Sequence, residues 1–186
     1  MRTHFTLLLL LVSLLGTAQT KNRSLHPFVA TSMMAGGQSN GARFYLKNAF
    51  ALYTGVSWMI PNSLIEPSLF VGLEKFSEET LIPLGLELSA FKKEEKWGNH
   101  FSFSGGYSFI SSEREGHIHG IEHHGGAHLG FGYGYTWPLS LNASTIQTSL
   151  RFRQQFLRNE KYLDGIEIFD EKFSYLLIQF SLRFRF

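Results

Sequence analysis

SYLLIQFSLRFRF, residues 174 to 186, alternates with a period of two. Leu176, Ile178, Phe180, Leu182, Phe184 and Phe186 share one face of an extended strand, and Gln179, Ser181, Arg183 and Arg185 share the other. A soluble sandwich would turn the apolar face inward. A membrane barrel turns it outward to lipid and lines its interior with the polar face. Residues 126 to 137, GAHLGFGYGYTW, separate the two cases. Ala127, Leu129, Phe131, Tyr133, Tyr135 and Trp137 alternate with Gly126, His128, Gly130, Gly132, Gly134 and Thr136. A sandwich gains little by emptying its core face to glycine, whereas a narrow barrel needs bulk outside and room inside for side chains from opposite strands.

The same alternation recurs upstream. Phe50, Leu52, Val56 and Trp58 form one outward row, Leu69, Val71 and Leu73 the next, and Leu84, Leu86 and Leu88 another. Phe101, Phe103, Tyr107 and Phe109 follow, then Ile146, Leu150 and Phe152. With a first strand over 27 to 36, which alternates least well, about eight strands are predicted, an even number as in bacterial barrels. The fold class is all-β: an antiparallel up-and-down transmembrane β-barrel. Turns are placed at 60 to 67, 92 to 99 and 138 to 144 on the side of Phe186, which gathers Trp58, Trp97 and Trp137 at one interfacial level. Longer outer loops are placed at 37 to 49, 77 to 81, 111 to 125 and 157 to 172.

The composition agrees with many strands rather than a helical bundle: aromatic residues make up 15% of the chain, with 18 Phe and 18 Gly against 5 Pro. The N-terminus runs from Arg2 and His4 through FTLLLLLVSLLG to Gly16, Thr17 and Ala18, the charged, apolar and small-residue order of a secretory signal. Its apolar part, residues 5 to 16, is shorter than the roughly 20 residues that cross hydrocarbon. Cleavage after Ala18 gives a signal peptide over 1 to 18 and a single barrel domain over 19 to 186. Losing that segment removes Arg2 and no acid, so the formal +2 falls by one, and nucleic-acid binding gets no support. There is no Cys, which rules out thiolate metal sites and disulfides.

A signal peptide, alternating strands and a last strand ending in Phe186 together resemble the small OmpA/OmpX-like outer-membrane barrels. The resemblance implies export to the bacterial outer membrane and contact with outer-membrane lipid and lipopolysaccharide. It also implies a terminal strand read by the barrel-assembly machinery, with Phe186 as its signal, and a monomer. Two enzyme groups share this architecture, the lipid A deacylases and palmitoyltransferases. The deacylase pattern resembles a His-x-Ser pair late in the barrel; here the late strand reads RFRQQFLRN, and His128 is followed by Leu129 and Gly130. The nucleophile and base pair is missing, so a non-enzymatic barrel with a structural or surface-binding role is expected, with a lipid A-modifying enzyme as the alternative.

Two constellations could carry chemistry. GHIHGIEHHGGAH places His117, His119, His123 and His124 close in sequence, and His117-x-His119 in an extended segment puts two rings on one side. Such imidazoles suit zinc or copper, so a metal-capturing surface loop over 117 to 128 is a second alternative to a merely polar loop. His124 and His128 in one straight strand would lie roughly 13 Å apart, too far to share an ion. No cofactor is otherwise expected. The second constellation is internal: parity turns Glu74, Glu87, Arg151, Arg153, Arg183 and Arg185 inward, where guanidinium groups can bridge carboxylates. An ion-paired plug is expected there rather than an anion-selective passage, because an eight-stranded interior just fits side chains.

Overall fold

The computed structural model describes residues 25–40, 43–77, 79–113, 121–139, 144–163 and 166–186. They form nine antiparallel strands in chain order: β1 (Leu25–Asn40), β2 (Arg43–Trp58), β3 (Ile65–Phe76), β4 (Glu79–Phe91), β5 (Gly98–Glu113), β6 (Ile121–His124), β7 (Gly126–Pro138), β8 (Thr145–Leu163) and β9 (Ile166–Arg185). β6 and β7 lie end to end on β8, with Gly125 between them, so they occupy one place in the wall. Each place pairs with its sequence neighbours, and β9 pairs with both β8 and β1. The sheet is therefore a closed barrel of eight strands. Closure gives every strand a partner on both sides in the middle of the wall, the condition for a sheet to stand in hydrocarbon.

The period-two pattern sets the facing. Outward rows from β1, β2, β3, β4, β5, β7, β8 and β9 leave large apolar side chains in the open, among them Met33 (68% exposed), Phe101 (66%), Phe131 (63%) and Leu176 (60%). A belt of this kind around the whole molecule far exceeds the few hundred Å² of apolar patch that a soluble monomer shows. Inward rows are polar or small over most of the barrel's height. Toward the hairpins that join β1 to β2 and β8 to β9, an apolar cluster of Met34, Ala49, Ala51, Phe76, Leu81, Leu157, Tyr175 and Leu177 fills the interior instead. We call this the far end, and the end holding Leu25 and Phe186 the terminal end.

Glycine on the inward face lets a larger cross-strand neighbour lie down over it. Gly132 pairs with Arg151, and a Cβ at Gly132 would stand 2.4 Å from Arg151 Cγ. Gly134 pairs with His100 in the same way, its Cβ position 2.7 Å from the imidazole. The room left by glycine is thus taken from the adjacent strand, not from the opposite wall as the sequence suggested.

The connections at the terminal end fall where expected, between Trp58 and Ile65, Phe91 and Gly98, and Pro138 and Thr145. Trp58 and Trp137 are exposed on the outer surface, and Trp97 sits in its turn with the Lys93 ammonium 3.8 Å above the ring. The far end differs from expectation. Pairing of β1 with β2 continues to Asn40 and Arg43, and that of β8 with β9 to Leu163 and Ile166, so most of the segments read as loops at 37 to 49 and 157 to 172 are strand. Polar residues on both parities, as in RNEK at 158 to 161, hide the alternation there while backbone pairing persists. The wall is uneven as a result: β8 and β9 have 19 and 20 residues, β3 and β4 only 12 and 13. Residues 1 to 18, where the signal peptide is expected, lie outside the described residues.

Candidate functional site

The polar interior is organised in tiers set by strand register. In the middle tier, β4 presents Glu87 inward between Leu86 and Leu88, and β8 and β9 present Arg151 and Arg183 from the facing wall. Glu87 is ion-paired with both, with Arg151 through Nη1 and Oε2, and with Arg183 through Nη2 and Oε1 at 2.8 Å. Ser89 Oγ donates to the same carboxylate at 3.3 Å.

One step toward the far end, Arg153 is ion-paired with Glu74 of β3, which also accepts from Tyr53 Oη at 2.8 Å. Arg153 also donates to Tyr53 Oη at 3.1 Å and to Gln155 Oε1 at 3.0 Å. Gln179 completes the tier, donating to Ser32 Oγ at 3.0 Å.

At the terminal end Arg185 is ion-paired with Glu66, both almost wholly buried. Just below them Lys96, in the turn between β4 and β5, reaches inward and donates to the carbonyls of Ser63 and, at 3.0 Å, Ile65. Burial pushes the Lys96 ammonium down from its ordinary value, opposed by the nearby Glu66 carboxylate. Lys96 takes a left-handed backbone, φ 58°, to make this approach. Charge inside a barrel this narrow is tolerable because each guanidinium finds a carboxylate and vice versa; a lone buried ion would be costly.

The structure brings together the internal residues that parity selected: Glu74 with Arg153, and Glu87 with Arg151 and Arg183. Arg185 is held by a residue the sequence reading left out, Glu66. The signal was present, since Glu66 and Glu74 share one parity in IEPSLFVGLEKF, but Glu66 fell within the turn placed at 60 to 67. Tyr53 and Gln155 were missed as well, and Gln179 was placed on the inward face without a partner; their polar groups give no sign of partners until the register is known.

The histidines divide differently. His117 and His119 lie outside the described residues, and of His123 only the backbone, paired with Asn159, is described. His124 has its Nε2 3.2 Å from Glu160 Oε2. Among the described residues no group of three or more His, Asp or Glu is placed to hold a metal ion. His128, 1% exposed, points into the barrel, with its Nδ1 3.2 Å from Ser108 Oγ. That pair resembles a nucleophile and its base, but the Ser108 hydroxyl donates to Gln155 Oε1 at 2.8 Å. With its proton so committed, Ser108 accepts from the imidazole, and an Nδ1–H imidazole is not a base toward it.

Phe186 stands on the outer face, half exposed, at the closing seam. Its backbone N–H donates to Pro27 O at 3.0 Å, and its own carbonyl lies 3.1 Å from His26 Nδ1.

No protein-family model matches the chain, and no curated protein matches it. Among solved structures it is similar to the outer membrane protein AlkL, determined by solid-state NMR in DMPC lipid bilayers. The TM-score is 0.54 at 16% identity, covering 91% of this chain and 94% of that one. The translocator domain of the autotransporter NalP from Neisseria meningitidis aligns at a TM-score of 0.33 with 9% identity, over 98% of this chain and 96% of that one, and nothing rests on it. The likeness to AlkL is one of fold: a small closed barrel of the outer-membrane type.

Proposed function

We propose that this chain is a closed, non-enzymatic barrel of the bacterial outer membrane. In this reading it is exported behind residues 1 to 18, assembled through its last strand by the barrel-assembly machinery, and seated as a monomer in outer-membrane lipid and lipopolysaccharide. Its work is structural, or lies in presenting the far-end hairpins to a binding partner. The observation that carries the reading is the filled interior, where Glu74, Glu87, Arg151, Arg153 and Arg183 are cross-paired in the middle of the barrel. Apolar side chains block the interior on the far side and Glu66, Arg185 and Lys96 on the terminal side. A pore needs a continuous hydrated path, and an eight-stranded interior filled with side chains leaves little room for one. Support for a non-enzymatic role comes from the Ser108–His128 pair, which is buried and has its hydroxyl proton committed to Gln155.

Planar-bilayer recording of the refolded protein tests the proposal. Silent membranes at protein levels where an open porin gives steady steps are expected. A sustained anion-selective conductance would overturn the closed-barrel reading.

A further inference from the structure

The middle of the barrel holds a cavity of about 30 Å³, lined by Arg151, Arg153, Arg183 and Gln147, by further serine, tyrosine, histidine and glutamine side chains, and by the apolar Phe28, Ala30 and Phe70. No carboxylate is among its lining residues. Glu87 pairs with two of the guanidinium groups and Glu74 with the third, so among the described residues of these two tiers three cations meet two anions and one positive charge is left in excess. Several donors of the lining residues also lack partners among the described residues: Arg151 Nε, Arg153 Nε, Arg183 Nη1 and Gln147 Nε2. Gln147 and Arg153 are 4% exposed and Arg183 5%. Buried donors normally find acceptors, and an uncompensated buried charge is among the costliest features a core can carry.

From the cavity, the surplus cation and the unpartnered donors together, we propose that the barrel core is a binding site for one small monovalent anion of halide size. The anion accepts from the guanidinium and amide donors and cancels the excess charge. Size selects the class: the cavity admits about two water-sized spheres, which suits a halide and excludes phosphate or an organic acid. The apolar side chains select further. Phe28, Ala30 and Phe70 offer no donors, so the ion must shed water where it meets them, and a weakly hydrated monovalent ion does so most readily. The apolar cluster and the Glu66–Arg185 pair stand between this cavity and the two ends, so exchange with solvent is expected to be slow.

The test uses the refolded full barrel in detergent micelles at fixed ionic strength, with sodium gluconate replaced stepwise by sodium bromide. The readout is the midpoint of heat-modifiable unfolding. A ligand held only by the folded state raises that midpoint by mass action, so a saturable rise of several degrees is expected with bromide. Gluconate is too large to enter. Gln147→Leu removes a donor and fills space, and Ala30→Leu fills the cavity from β1, where Ala30 pairs with Arg183, without removing any charge or donor. Both should flatten the titration, and if one fails to fold the other decides. Crystals grown in bromide should show anomalous scattering between Arg183 and Gln147. Superimposable bromide and gluconate curves in the wild type, a rise that survives both substitutions, or bromide found only on the outer surface would each overturn the site and leave the cavity to water.

Discussion

Glu87 serves two guanidinium groups, and that makes it the residue whose loss the interior can least absorb. Removing it leaves Arg151 and Arg183 facing each other across a space with little water, and breaking a buried pair typically costs about 3–5 kcal/mol. Glu87→Ala should lower the urea midpoint of the refolded barrel by a corresponding amount. Glu95→Ala, on the exposed turn between β4 and β5, should leave the unfolding free energy within about 1 kcal/mol of wild type and the midpoint nearly unchanged. Equal midpoints for the two variants would mean that the network contributes nothing to stability. Glycine gives a second prediction at this scale. Gly132→Ala places a methyl against Arg151 Cγ and 2.6 Å from the Leu150 carbonyl, so the strand must shift, and overpacking of this sort costs about 1–3 kcal/mol. Gly105→Ala meets only the flexible end of Leu129 at 3.3 Å and should be tolerated. Thermal unfolding of both variants checks the contrast. Parity alone made Glu87 and the arginines legible in the sequence, because a period of two fixes which face a residue takes once one neighbour is placed. Which carboxylate meets which guanidinium was not legible, since that depends on register across strands more than sixty residues apart.

β9 carries two tasks, and its sequence shows both. Its outward row faces lipid, and its backbone closes the sheet on β1 from Phe28–Arg185 to Gln38–Tyr175. Phe186 extends this seam by one bond, from its N–H to Pro27 O. Deleting Phe186 removes that bond and the aromatic side chain at the end of the row, and should lower the fraction of heat-modifiable, protease-resistant barrel recovered from outer-membrane preparations. Wild-type recovery would show that the seam closes without it. Strand existence was readable wherever one face met lipid, as in β4, β5 and β7. β1 was the weakest expectation at 27 to 36 and runs to Leu25–Asn40, because Met33 and Val29 face outward among small residues such as Ala35 and Gly37 that blur the alternation. The far-end extension of β8 escaped notice because RNEK, 158 to 161, carries polar residues on both parities, so no alternation marks the strand.

The whole molecule is a wall of one material outside and three inside: apolar at the far end, charged in the middle, and latched by Lys96 at the terminal end. Lys96→Ala should loosen the latch by freeing the carbonyls of Ser63 and Ile65, and faster amide hydrogen exchange is expected in the turns at 59–64 and 92–97 with little change in β7 and β8. Uniform exchange across the barrel would remove the latch from this account. The uneven height of the wall has a further effect. β8, β9, β1 and β2 stand side by side and rise well above the short β3–β4 hairpin, so the rim has a raised side and a lowered one. A cylinder of even height looks the same from every bearing in the plane of the bilayer. This one has a bearing: a neighbour approaching from the β3–β4 side meets the membrane surface first, while one approaching from the opposite side meets a standing ribbon of backbone.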